Sequence, residues 1–154
     1  MGSVGCASDW ELHPQLANDT CAIGDLSLCR LLLMNDAHYP WLVLVPRRPG
    51  VVEIADLSSA DATQLMDEIA RASRALKQIT GCDKLNVAAI GNIVPQLHVH
   101  IVARWRTDPL WPRPVWGAVT PSPGDAARFA RFLAAVQSRL GLDHDPIRSN
   151  RIMV

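Results

Sequence analysis

The chain has no excess of either charge, no long apolar run and no cysteine spacing suited to a metal knuckle, and each absence removes a class of function. Fifteen Lys and Arg balance fifteen Asp and Glu across 154 residues. There is thus no basic stripe to wrap a nucleic-acid backbone, although a small, locally held anionic ligand stays open. The longest apolar stretches, such as 31–34 and 41–45, fall far short of the roughly 20 residues that cross a bilayer, so no membrane partner is expected. Cys6, Cys21, Cys29 and Cys82 form no CxxC pair, and no charged segment followed by an apolar one opens the chain. Reduced thiols in a cytoplasm are the expectation. The length fits one domain with a sizeable core, and there is no internal repeat or low-complexity segment.

What is present is regular punctuation. Apolar runs at 21–23, 28–34 and 41–45 are separated by Gly24-Asp25 and the polar stretch 35–40, which predicts a three-stranded antiparallel meander. From Ser58 to Gly81 the apolar positions Leu65, Ile69, Ala72, Leu76 and Ile79 step by four and three, which predicts a helix. Ser58 with Asp61 resembles a capping box, Lys77 falls in the last turn, and Gly81 can take the left-handed stop. Residues 84–90 and 97–103 predict two further strands, kept adjacent by the short connection 91–95. Pro109, Pro112, Pro114, Pro121 and Pro123 exclude a regular ladder or helix between 107 and 123, leaving an ordered loop or docking arm. Ala126, Phe129, Ala130, Leu133, Val136 and Leu140 form a second helical stripe ended by Gly141, followed by a tail that carries His144.

The chemistry concentrates in Gln96-Leu97-His98-Val99-His100-Ile101-Val102. Side chains alternate across a strand, so Gln96, His98, His100 and Val102 share one face while Leu97, Val99 and Ile101 face the core. Neighbours on one face stand about 7 Å apart, close enough for one phosphate group to meet more than one of them. Neutral imidazole can attack phosphorus and imidazolium can protonate a leaving group, both near pH 7, whereas glutamine can only orient or donate a hydrogen bond. Two alternate histidines also suit a solvated strand face. A two-histidine metal site would need further ligands that the strand does not supply, so no metal and no cofactor is expected. Arg104 and Arg106 could neutralise phosphate, although Arg after a strand more often ends it in solvent. His38 reads as an exposed turn residue, His13 and His144 carry no argument, and Trp105, Trp111 and Trp116 suit base stacking or an interface equally.

This strand resembles the histidine-triad motif, His-φ-His-φ-His-φ-φ with φ apolar, with Gln in the first place. The runs at 31–35 and 41–46, the helix from Ser58 and the glycine-bearing loop before the His strand follow the order of elements in that family, so the resemblance covers about residues 20–106. Trp111-Pro112 and Trp116-Gly117 resemble the Trp-Pro arm of its Hint branch. The resemblance implies a single α+β domain over 1–154: a five-stranded, mostly antiparallel sheet with one main helix, an arm at 107–123, a C-terminal helix at 124–141 and a tail at 142–154. It further implies a homodimer that binds a purine nucleoside phosphate and acts as a nucleotide hydrolase or nucleotidyl transferase. In that pattern His98 attacks the α-phosphorus, His100 contacts the phosphate or leaving group, and Gln96 belongs to the orienting network. Asn35 and Asn92 take positions that meet ribose and phosphate. Ile93 stands where many members have Ser or Thr and Trp41 where some have another His, so both are expected to remove polar contacts. With Gln96 unable to titrate, a slower enzyme is expected, or a nucleotide-binding module with little catalysis.

Overall fold

The structure, a computed structural model, describes residues 9–118 and 120–142; Cys6, His144 and the tail from 143 lie outside the described residues. The meander forms as β1 (Thr20–Asp25), β2 (Cys29–Met34) and β3 (Trp41–Pro46). The long helix α2 runs Ser59–Thr80, with Ser58 Oγ accepting from Asp61 N at 3.1 Å and Gly81 in the left-handed region at φ 63°. β4 (Lys84–Ala88) and β5 (Val99–Arg104) complete an antiparallel sheet of order β1-β2-β3-β5-β4, and α3 (Ala126–Leu140) closes the described chain. No helix among the described residues is long and apolar enough to cross a membrane.

Two differences from the sequence reading have local causes. β5 starts two residues late because Leu97 N donates to Val51 O outside the sheet. A short helix α1 (Pro14–Asp19) precedes β1, with Pro14 in its first turn and His13 Nδ1 accepting from Gln15 N at 3.1 Å. Six residues are too few to show helical periodicity.

Alternation sends the two sets of β5 side chains to different covers. Leu97, Val99, Ile101 and Ala103 join Leu31, Leu33, Leu42 and Leu44 against Leu65, Ile69, Ala72 and Leu76 of α2 and Val136 of α3. On the other face Val102 packs with Trp41, Val43 and Val45 beneath Trp10 and Leu16 of the N-terminal segment and Val115 of the arm. The sheet is therefore held between α2 and α3 on one face and the N-terminal segment with α1 and the arm on the other.

Glu68 fastens α2 to the start of β2. Its carboxylate is fully buried and accepts from Leu28 N at 2.7 Å, Cys29 N at 2.8 Å and Gln64 Nε2 at 3.0 Å. Burial, followed by the hydrogen bond and charge of Glu68, pushes the Cys29 thiol far up, so it stays protonated. Glu68→Ala would strand two buried amides and should cost about 3 kcal/mol in urea unfolding, with Glu68→Gln costing less because one acceptor survives.

Candidate active site

β5 is paired on both sides, with His100 opposite Val43 of β3 and Ala88 of β4, and His98 projects just before its first residue. Both imidazoles are 7% exposed and meet edge to face, with centroids 4.9 Å apart and planes at 81°. The alternation read from the sequence thus brings the two histidines together on one face.

Their outer partners fix how each ring presents its nitrogens. His98 Nδ1 lies 2.7 Å from the main-chain carbonyl oxygen of Gln96. A carbonyl can only accept, so Nδ1 carries the proton and, in the neutral ring, the lone pair sits on Nε2. His100 Nδ1 accepts from Trp41 Nε1 at 3.0 Å. An indole N–H can only donate, so His100 has its lone pair at Nδ1 and its proton on Nε2. The pair therefore offers a bare nitrogen from His98 and an N–H from His100.

Trp41 and Trp116 pack against His100, with ring centroids 5.5 and 5.8 Å from the imidazole. Burial, reinforced by the neighbouring His98, lowers the His100 pKa to about 4. At neutral pH it is a hydrogen-bond donor and not a reservoir of protons. Trp41 adds a polar contact where the sequence reading expected one to be lost. The indole reaches His100 because it pairs with Val102, one diagonal step along the same face.

The Gln96 side chain is held by the N-terminal segment. Its Nε2 donates to Glu11 O and its Oε1 accepts from His13 N, each at 2.9 Å, so the amide clips the N-terminal segment to the loop before β5 while the main-chain carbonyl holds His98. Asn92 is exposed in that loop. Register does not bring Asn35 beside His98: Asn35 follows β2 at the end where Trp41 meets Val102, whereas His98 lies past the Leu44–Val99 end. A cavity of about 340 Å³ between the 35–40 turn and α3, lined by Leu33, Tyr39, Phe129 and Phe132, contains neither histidine.

Arg104 corrects the sequence reading, being neither a solvated strand end nor free for phosphate. It is 1% exposed, grips Asp108 through Nε at 2.8 Å and Nη2 at 2.9 Å, and donates to Asn86 Oδ1 at 3.0 Å. It also lies over the rings of Tyr39 and Trp111. The guanidinium holds the Asp108 carboxyl down to about 2. His38 is exposed and bound to Asp36 at 2.6 Å. Among the described residues, no group of three or more His, Cys, Asp or Glu is arranged to hold a metal ion.

The model of the HIT domain matches residues 15–107 of the chain. A histidine triad protein of Bradyrhizobium japonicum is 56% identical, with a TM-score of 0.83 over 85% of this chain and 98% of that one. Histidine triad proteins of Sinorhizobium meliloti (41% identical; 86% and 98% covered) and Marinobacter aquaeolei (43%; 86% and 96%) also superpose with TM-scores of 0.83. No curated protein matches the chain.

The lowered His100 pKa makes stability depend on pH with a definite sign. The unfolded chain takes up a proton near the ordinary value of about 6.5, the folded one only near 4, so stability present above pH 6.5 drains away as pH falls through that window. Between pH 7.5 and 5 the loss should be about 2 kcal/mol. Urea titrations of wild type and His100→Asn check this: the variant should lack that increment, and equal pH slopes would refute it.

Proposed function

This chain belongs to the histidine triad (HIT) family, and from that membership we propose that it is a nucleotide hydrolase or nucleotidyl transferase acting at an α-phosphorus through His98. The observation that carries the reading is the 2.7 Å contact of His98 Nδ1 with the Gln96 carbonyl, which leaves the lone pair on Nε2 in a ring 4.9 Å from that of His100. In the first step His98 Nε2 forms a bond to the α-phosphorus as the P–O or P–N bond breaks, the bonding pair leaving with the departing group, which takes its proton from solvent. The ring becomes cationic, and its Nδ1–H bond to the carbonyl strengthens as that charge develops. His100 donates its Nε2–H to a non-bridging phosphate oxygen. Water or another acceptor then attacks phosphorus, breaks the N–P bond and restores neutral His98. The ligand is a purine nucleoside phosphate, with Asn35 and Asn92 as candidate contacts to its ribose and phosphate.

A second reading, a nucleotide-binding module with little turnover, is favoured by one observation: His100 is neutral at physiological pH and Gln96 cannot titrate, so neither supplies a proton to a poor leaving group. We place the dimer seam at β4, one of the two edge strands of the sheet, where Val87 and the following Ile90 are 47% and 42% exposed.

Incubation with radiolabelled adenosine phosphoramidate or dinucleoside polyphosphate tests the chemistry. Label should appear on His98 and vanish in His98→Asn. Gln96→Ala should keep label formation within about tenfold, because the carbonyl that holds His98 belongs to the backbone. Neither turnover nor label sinks the catalytic reading, and nucleoside monophosphate binding seen by calorimetry without turnover establishes the binder.

A further inference from the structure

Zero net charge conceals a segregation of charge. Residues 69–82 and 126–142 carry Arg71, Arg74, Lys77, Arg128, Arg131 and Arg139 and no Asp or Glu. These stretches cover most of the C-terminal half of α2 and all of α3, the layer packed on the sheet face away from His98 and His100. Arg71 and Arg74 of α2 and Arg139 of α3 line one groove of about 220 Å³, together with Gln78 and floored by Ala75. That volume exceeds several water molecules at about 30 Å³ each.

These three guanidiniums differ from others in the chain. Arg30, Arg47, Arg48 and Arg104 each pair with an aspartate, whereas Arg71, Arg74 and Arg139 have no carboxylate partner among the described residues. Arg139 in a last helical turn is accounted for by the helix dipole. Arg71 and Arg74 stand three residues apart in mid-helix, where like charges destabilise, so they lack that explanation. A guanidinium fork matches phosphate oxygens in pairs, and the Gln78 amide adds a neutral donor.

We propose that the groove between α2 and α3 is a binding site for a small oligophosphate anion, held by Arg71, Arg74 and Arg139. It is separate from the phosphate handled at His98, since the sheet lies between them. Calorimetric titration of the full chain with inorganic tripolyphosphate in low salt tests it. Arg71→Gln with Arg74→Gln should weaken binding at least tenfold and leave turnover at His98 unchanged. His98→Asn should leave tripolyphosphate affinity at the groove unchanged, so the proposal stands or falls independently of the catalytic reading. Arg128→Gln with Arg131→Gln removes the same charge outside the groove and should weaken binding less than threefold; an equal loss would mean a diffuse field and would overturn the site. Absence of binding by wild type, or binding abolished only by His98→Asn, overturns it as well.

Discussion

Strand β5 is hydrogen-bonded along both edges and covered on both faces, and all six of its side chains are buried. A polar group in such a strand meets fixed protein partners or suffers the cost of burial, roughly 1–3 kcal/mol for a neutral donor or acceptor and more for a charge. His100 and Arg104 are its two polar members, and each has a dedicated set: Trp41 for the imidazole, Asp108 and Asn86 for the guanidinium. Much of the surrounding sequence answers these demands. The arm after β5 supplies Asp108 four residues on from Arg104, and Trp116 to pack edge-on against His100.

Burial also determines what the histidines can offer. In water an imidazole exchanges tautomers freely and shares its proton with solvent. Here each ring spends Nδ1 on one obligate partner, an acceptor for His98 and a donor for His100, which leaves Nε2 of opposite character on the two rings. The pair thus offers a bare nitrogen and a donor without a change of tautomer. The same burial that orders His100 lowers its pKa and removes it as an acid at neutral pH. Positioning and acid strength are therefore opposed at this residue.

The parts of this arrangement legible in the sequence were those with short-range signals. Period-two alternation placed His98 and His100 on one face, and the Ser58 cap and Gly81 stop bounded α2 because their partners lie within four residues. The His98 contact with the Gln96 carbonyl is also local, but the other hydrogen bonds around the site span much greater separations: 59 residues from Trp41 to His100, and 83 and 85 from Gln96 to His13 and Glu11. Trp41 read as a lost histidine because nothing local reports a β3–β5 register. Arg104 is different, since the i,i+4 Asp108 was visible. It reads as a solvated end because the strand is predicted to stop at 103, whereas β5 includes Arg104 and the arm folds back to seal the pair.

Gln96 shows how one residue can hold two parts of the structure at once. Its amide takes a hydrogen bond from His13 N and gives one to Glu11 O, flanking Leu12 as a neighbouring parallel strand would with its own C=O and N–H. Imidazole cannot reproduce this, because its two nitrogens point away from each other and the neutral ring has one donor and one acceptor. The clip sets the start of α1, whose Leu16, with Trp10 just upstream, covers the sheet face that carries Trp41. His98 draws on the same residue through the main-chain carbonyl, a contact that survives any side chain at this position. Separating the two roles lets position 96 serve the N-terminal cover without releasing His98, so a histidine there would gain a titrating group only by giving up the clip.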